Sequence, residues 1–120
     1  MPIITIESNE VLRSAQRNRS ALLCAIRRVA AANLHIPETA FTMHWKEHHG
    51  DGLVSLESDD RCTTVVDVRL VAGRSREVKH ALMAAISDAL AGAGIPPRQV
   101  TILLTELCPE NWFDRGTPLA

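Results

Sequence analysis

Residues 63–107 read TTVVDVRLVAGRSREVKHALMAAISDALAGAGIPPRQVTILLTEL, and they hold a complete strand–helix–strand pattern. The β-branched residues from Thr63 to Leu70 predict a strand, and Gly73-Arg74-Ser75 has the composition of a turn. No Gly or Pro interrupts the chain from Ser75 to Ala91, and its apolar residues recur at helical spacing, at Val78, Leu82, Ile86 and Ala89. Alternating apolar residues from Val100 to Leu107 predict a second strand.

The first half of the chain follows the same order. The run from Ile3 to Ile6 predicts a strand, and residues 11–33, which contain no Gly or Pro, predict a long amphipathic helix. Pro37 ends that helix, and apolar and polar residues alternate from Phe41 to Lys46 as in a half-buried strand. Dipeptides recur at separations of 61, 60 and 59 residues: Arg13-Ser14 and Arg74-Ser75, Ala21-Leu22 and Ala81-Leu82, Ile36-Pro37 and Ile95-Pro96. This repetition indicates an internal duplication.

Two βαβ units in one chain predict an α/β fold. We expect a single domain over residues 1–120, with a first unit at 2–57 and a second at 63–113. Each unit supplies two parallel strands, so the pair predicts a four-stranded sheet with both helices on one face. The bare face needs a cover, which favours an oligomer. The same order of elements also occurs in ferredoxin-like binding modules, where the central strands pair differently.

Composition narrows the class of protein. The 120 residues are 46% hydrophobic and 22% charged, which is typical of a soluble globular domain. A net charge of −1 gives no overall positive potential that would attract nucleic acid or an anionic membrane. The apolar run at the N-terminus is too short for a signal peptide or a membrane span. Three cysteines without a C-x-x-C motif favour reduced thiols, so we expect a cytoplasmic protein.

The chain begins Met1-Pro2, and this dipeptide carries the chemistry that we expect. Methionine aminopeptidase removes Met1 before a small residue such as Pro2, which exposes a secondary amine. Burial or a nearby cation disfavours the charged form of that amine and lowers its pKa toward neutrality. A neutral amine at the end of a strand can take a proton from carbon or attack a carbonyl.

The chain resembles the tautomerase superfamily at its start, residues 1–7, and in its second unit, from Gly73-Arg74-Ser75 through Thr105-Glu106 and at Glu110-Asn111-Trp112. The resemblance is to its fused branch, in which one chain of this length holds two βαβ units and three chains form a trimer. It implies a cofactor-independent keto-enol tautomerase, an isomerase that acts on a small 2-hydroxy-enoate or 2-keto carboxylate.

The resemblance also implies roles for individual residues. Pro2 is the acid/base that moves a proton between carbon and oxygen, and Arg74 binds the substrate carboxylate and helps keep the amine neutral. Arg13, the counterpart of Arg74 in the duplication, is a weaker candidate for the same contact because no Gly precedes it. Trp112, or Phe113 beside it, lines the pocket and lowers its dielectric.

Other positions depart from the family pattern. Relatives that act on dicarboxylates use a second arginine on the strand after the helix, and the matching positions here are Thr42 and Thr101. Decarboxylase, hydratase and dehalogenase relatives add a paired arginine, where this chain has Val71 and Ala72, and a water-activating acid, for which Glu38 is the candidate. These activities stay the alternative within the family, and a non-catalytic ferredoxin-like binding module stays the alternative outside it.

The histidine-rich stretch from His44 to Asp51 does not predict a metal site. Along an extended strand His44 and His48 are about 13 Å apart at ~3.3 Å per residue, too far to share an ion. We expect His44 to point toward a substrate pocket or a subunit contact, and we expect no metal.

Overall fold

The computed structural model describes residues 2–9, 19–48, 53 and 63–119. Within these ranges, six strands and two α-helices follow one another as β1 (Ile3–Ser8), α1 (Arg19–Leu34), β2 (Thr42–Glu47), β3 (Thr64–Val71), α2 (Arg76–Gly92), β4 (Val100–Leu107), β5 (Phe113–Asp114) and β6 (Thr117–Pro118). Short 3-10 turns precede three of the strands, at Glu38–Ala40, Pro97–Gln99 and Pro109–Asn111. The order predicted from the sequence is confirmed. The predicted start of the first helix near Val11 lies outside the described residues.

The four long strands form one mixed sheet in the order β2-β1-β3-β4. β1 is parallel to β2, β3 is parallel to β4, and the central pair β1–β3 is antiparallel. In a ferredoxin-like sheet the two strands of a βαβ unit are split by another strand, whereas here they are neighbours. The topology therefore consists of two intact βαβ units and excludes the ferredoxin-like alternative.

The core lies between one face of the sheet and both helices. Alternate residues of the two central strands are buried on that face, as the period-two pattern predicts. The helices add residues at helical spacing, and burial of these groups is the main force holding the layers together. The sheet contributes Ile4, Ile6, Val66, Val68 and Leu70, and the helices contribute Leu22, Ile26, Ala30, Leu34, Leu82, Ile86 and Leu90.

Helix α2 begins with a side-chain cap. Ser75 has an extended backbone, and its Oγ accepts a hydrogen bond from the backbone N–H of Val78 at 3.2 Å. This satisfies one of the free N–H groups of the first turn and stops the helix from extending backward. Arg74 is thereby held at the junction between β3 and α2.

Both helices pack against the core face, and within the described residues no helix covers the other face of the sheet. Strand register aligns the side chains on this face in rows, one of which contains Thr42, Ile3, Arg69 and Thr105. Leu103 is 54% exposed there. Within the described part of the chain, neither helix is long and apolar enough to cross a membrane.

Candidate active site

Four segments of the chain meet at one edge of the sheet: the starts of β1 and β2 and the ends of β3 and β4. Because β1 and β2 are parallel and β1 and β3 are antiparallel, the beginnings of β1 and β2 lie beside the end of β3. The end of β4 is there too, since Val71 pairs with Leu107. Pro2, the turn at residues 73–75 and the segment at residues 108–112 therefore lie at the same edge. The duplication alone did not reveal this convergence, which depends on how the two units pair.

Pro2 is buried at this edge, immediately before β1. Its carbonyl accepts a hydrogen bond from the backbone N–H of Thr42 at 3.0 Å, which extends the β1–β2 ladder by one residue. The register of the sheet thus fixes the position of the residue that the sequence nominates as the acid/base.

A pocket of about 230 Å³ opens at the start of β1, and Pro2 is not one of the residues that line it. It contains the residue that follows Pro2 and the residue hydrogen-bonded to it, and its lining consists of Ile3, Thr39, Ala40, Thr42, Trp112, Asp114 and Arg115. This is smaller than the ~300–1,000 Å³ of pockets that hold drug-sized ligands, so the pocket suits a small organic acid rather than a large ligand. Its walls combine apolar groups, hydroxyls, a carboxylate and a guanidinium.

Trp112 supplies the aromatic wall of the pocket. It is 8% exposed, and its backbone N–H donates to the backbone carbonyl of Pro109 at 3.1 Å, so the 3-10 turn at residues 109–111 sets its position. Its carbonyl accepts from the N–H of Leu119 at 3.0 Å. The neighbouring Phe113 is 70% exposed and is not part of the lining. Of the two aromatics that the sequence nominates, Trp112 is the one in the pocket.

Arg74 is half-buried at the same edge but does not line this pocket. Its turn is held by Glu106, whose Oε1 accepts from the Lys79 ammonium at 2.6 Å and whose Oε2 accepts from the Gly73 N–H at 3.4 Å. The hydrogen bond from Lys79 lowers the pKa of Glu106 below its ordinary value, partial burial opposes this, and the Gly73 N–H and the charges of Lys79 and Arg74 assist it. Glu106 therefore fixes the turn that carries Arg74.

Replacing Glu106 by glutamine should lower stability in a pH-dependent way. The pKa of Glu106 is lowered in the folded state, so the stabilisation is present above the unfolded value of 4.5 and is lost as the pH falls through the folded value. We expect the urea midpoint of Glu106→Gln to fall below that of the wild type at about pH 7, and the difference to shrink at about pH 3. Glu110→Gln, at an exposed carboxylate, is the control and should show no such difference. A pH-independent difference for Glu106→Gln would show that the lost contact is not ionic.

Of the other residues nominated from the sequence, His44 does not line the pocket and Arg13 is not among the described residues. His44 is exposed on the open face of the sheet, in register with Thr5, and does not line the pocket. Arg13 lies outside the described residues. In the described ranges, no group of three or more His, Cys, Asp or Glu side chains is placed to hold a metal ion.

Glu38, the acid that the sequence offers for water activation, is engaged elsewhere. It begins the 3-10 turn whose next two residues line the pocket, but its Oε1 accepts from Arg27 Nε of α1 at 3.3 Å. The carboxylate in the pocket lining is instead that of Asp114, which is half-buried.

Sequence reasoning missed the hairpin that carries Asp114 and Arg115. Its strands have two residues each, too few for a periodic pattern, so they escape detection by alternation. Gly116 after a polar pair was the one available signal, since Gly often marks a tight turn.

Comparison with known proteins supports the family suggested by these features. The family model described as "Tautomerase enzyme" matches residues 42–113, which is more than half of the chain. No curated protein sequence gives a significant match.

Three solved structures show the same fold. Pt0534, inactivated by 2-oxo-3-pentynoate, has a TM-score of 0.85 and 21% identity over 97% of this chain and 94% of that one. A fused 4-OT symmetric trimer has a TM-score of 0.84 and 19% identity over 98% and 95%. FG41 malonate semialdehyde decarboxylase, inhibited by 3-bromopropiolate, has a TM-score of 0.78 and 24% identity over 93% and 88%. The family model matches β2, the whole second βαβ unit and the aromatic segment after it, and on this evidence the chain belongs to the tautomerase family.

Proposed function

We propose that the chain is a cofactor-independent keto-enol tautomerase that acts on a small 2-hydroxy-enoate or 2-keto carboxylate. The single observation that carries this proposal is a buried Pro2, the second residue of the chain, directly before Ile3 of the pocket lining at the edge where the four segments meet. Membership of the tautomerase family makes this chemistry the leading interpretation of that geometry.

The proposed reaction uses the Pro2 nitrogen after removal of Met1. The neutral amine accepts the enol O–H proton as the carbonyl forms, and the resulting ammonium returns a proton to the substrate carbon, so no net proton is consumed. Burial disfavours the ammonium and keeps the amine available as a base. Trp112 gives the pocket an apolar aromatic wall. Arg74, at the same edge, binds the substrate carboxylate through a charge-assisted contact.

Two measurements on the unmodified protein test this proposal. Intact mass should show the loss of one methionine residue, and ultraviolet absorbance should show phenylenolpyruvate ketonising faster than in buffer alone. A retained Met1 would block the amine and remove the proposed base. A rate equal to that in buffer, with Met1 removed, would also end the proposal.

Decarboxylation or hydration is the second candidate, and Asp114 favours it. This half-buried carboxylate lines the pocket, where it is placed to orient a water molecule. One similar fold is that of a malonate semialdehyde decarboxylase. Release of CO₂ from malonate semialdehyde, measured alongside ketonisation of phenylenolpyruvate, separates the two: the higher kcat/KM identifies the main activity.

The quaternary structure that we propose is a homotrimer, with the open face of the sheet turned toward the other subunits. The support is the exposure of apolar groups such as Leu103 and Ile3 on that face and the trimeric state of similar fused 4-OT proteins.

Leu103→Lys should prevent this assembly. A lysine on the open face would place a desolvated, unpaired charge in the subunit contact, at a cost of several kcal/mol. In sedimentation velocity we expect the wild type to be trimeric and Leu103→Lys to be monomeric at the same concentration. Ala81→Lys adds the same charge on the exposed side of α2 and should stay trimeric. A trimeric Leu103→Lys variant would place the subunit contact elsewhere.

A further inference from the structure

The C-terminal hairpin has a turn of unusual composition. Phe113 pairs with Pro118 and Asp114 with Thr117, which leaves Arg115 and Gly116 as a two-residue loop. Their φ angles are +49° and +84°, so both lie in the left-handed region, as a type I′ turn requires. Glycine suits the second position, but the first normally holds Asn, Asp or Gly. An arginine there is unfavourable for the turn itself.

The position of Arg115 gives it a role outside the turn. It is exposed to solvent and lines the pocket at the start of β1 together with the apolar side chains of Ile3 and Trp112. No carboxylate of residues 2–9, 19–48, 53 or 63–119 forms an ion pair with its guanidinium, and this includes the adjacent Asp114, which lines the same pocket. The hairpin thus presents to a small, partly apolar cavity a cation that has no counter-ion among the described residues.

The other residues of the lining carry no positive charge. Thr39 and Thr42 contribute hydroxyls, and Ile3, Ala40 and Trp112 contribute mostly apolar surface. Among the residues that line this pocket, Arg115 is therefore the cation that an entering anion would meet.

We propose that Arg115 makes a second contact, besides that of Arg74, with the anionic group of a ligand in the pocket at the start of β1. Its planar guanidinium can hold a carboxylate through two parallel hydrogen bonds, which a lysine cannot reproduce. Arg115 acts from the β2 side of Pro2, whereas Arg74 approaches the same edge from the β3 side. This inference rests on the proposed function for the identity of the ligand, a small carboxylate.

Equilibrium binding tests the inference without requiring catalysis. Calorimetry with phenylacetate, and with its neutral amide phenylacetamide, should show that Arg115→Gln raises the Kd of phenylacetate roughly 10- to 100-fold, while the Kd of phenylacetamide stays unchanged. Arg115→Lys should restore part of the affinity. Arg98→Gln is the matched control, because Arg98 is exposed at the opposite edge of the sheet, before β4. An unchanged Kd for Arg115→Gln, or wild-type protein without measurable affinity for phenylacetate, would overturn the proposal.

Arg115→Asn separates ligand binding from a structural role. Asn is preferred at the first position of a type I′ turn, so this variant should keep or raise the melting temperature while it loses affinity for phenylacetate. A lower melting temperature with equal losses for phenylacetate and phenylacetamide would mean that Arg115 only supports the hairpin.

The two proposals fail independently. If the wild type does not ketonise phenylenolpyruvate but binds phenylacetate in an Arg115-dependent way, the proposed function fails and the anion site stands. If ketonisation depends on Pro2 but Arg115→Gln binds phenylacetate as the wild type does, only the anion site fails.

Discussion

Pro2→Ala should reduce kcat for ketonisation of phenylenolpyruvate by about 100-fold, at the lower end of the ~10²–10⁴-fold contribution of a positioned acid/base. The variant keeps an N-terminal amine after removal of Met1, so the loss reports the pyrrolidine ring and the rigidity it gives to the nitrogen. In the wild type the ring is buried and its carbonyl is held by Thr42. An alanine amine has more conformational freedom and spends less time aligned with the substrate.

The control for Pro2→Ala is Pro97→Ala. Pro97 is exposed in the 3-10 turn before β4, at the opposite edge of the sheet, so its replacement should leave kcat unchanged. Circular dichroism and sedimentation should match the wild type for both variants. A Pro2→Ala rate within about twofold of the wild type would remove Pro2 from the mechanism, since a positioned base contributes far more than that.

Arg74→Gln should lower kcat/KM for phenylenolpyruvate about 10- to 100-fold, mainly through KM, because a hydrogen bond to a charged group is worth about 1.5–3 kcal/mol. Glu106 and the Ser75 cap hold the turn through the Gly73 and Val78 N–H groups, which the substitution does not change. The loss should therefore come from the missing positive charge rather than from unfolding of the turn.

Two controls test whether the effect of Arg74→Gln comes from a lost contact with the substrate carboxylate. Arg28→Gln removes an exposed guanidinium from α1 and should leave KM unchanged. The methyl ester of phenylenolpyruvate lacks the carboxylate, so Arg74→Gln should not affect its turnover. A KM equal to that of the wild type would limit Arg74 to its electrostatic contact with Glu106.

Local patterns in the sequence were sufficient to predict most of the elements. The alternation from Val100 to Leu107 corresponds to β4, and the apolar spacing after Ser75 corresponds to α2, whose members Leu82 and Ile86 are fully buried. The resemblance to the tautomerase superfamily was also carried by short motifs, and the family model confirms it. Strand alternation, helical spacing and short motifs involve residues close together in the chain, so they can be identified from a single sequence.

The site was only partly accessible from the sequence. Trp112 and Pro2 were nominated; Trp112 lines the pocket, and Pro2 is buried directly before Ile3, another lining residue. Asp114 and Arg115 were not, because their strands are too short to give a period and an arginine in a left-handed turn matches no common turn sequence.

The sequence by itself determined that the chain forms two βαβ units, since hydrophobic period, helix-ending Gly and Pro residues and the internal repeat are local properties. Tertiary structure alone decided that β1 pairs antiparallel with β3, and therefore that Pro2 lies beside the end of the second unit. It also decided that the C-terminal hairpin brings Arg115 to the same pocket as Thr42. The physical reason is that strand order and the position of the hairpin result from contacts between segments far apart in the chain. The free energy of these contacts depends on the assembled surfaces, so neither segment alone shows it as a periodic pattern.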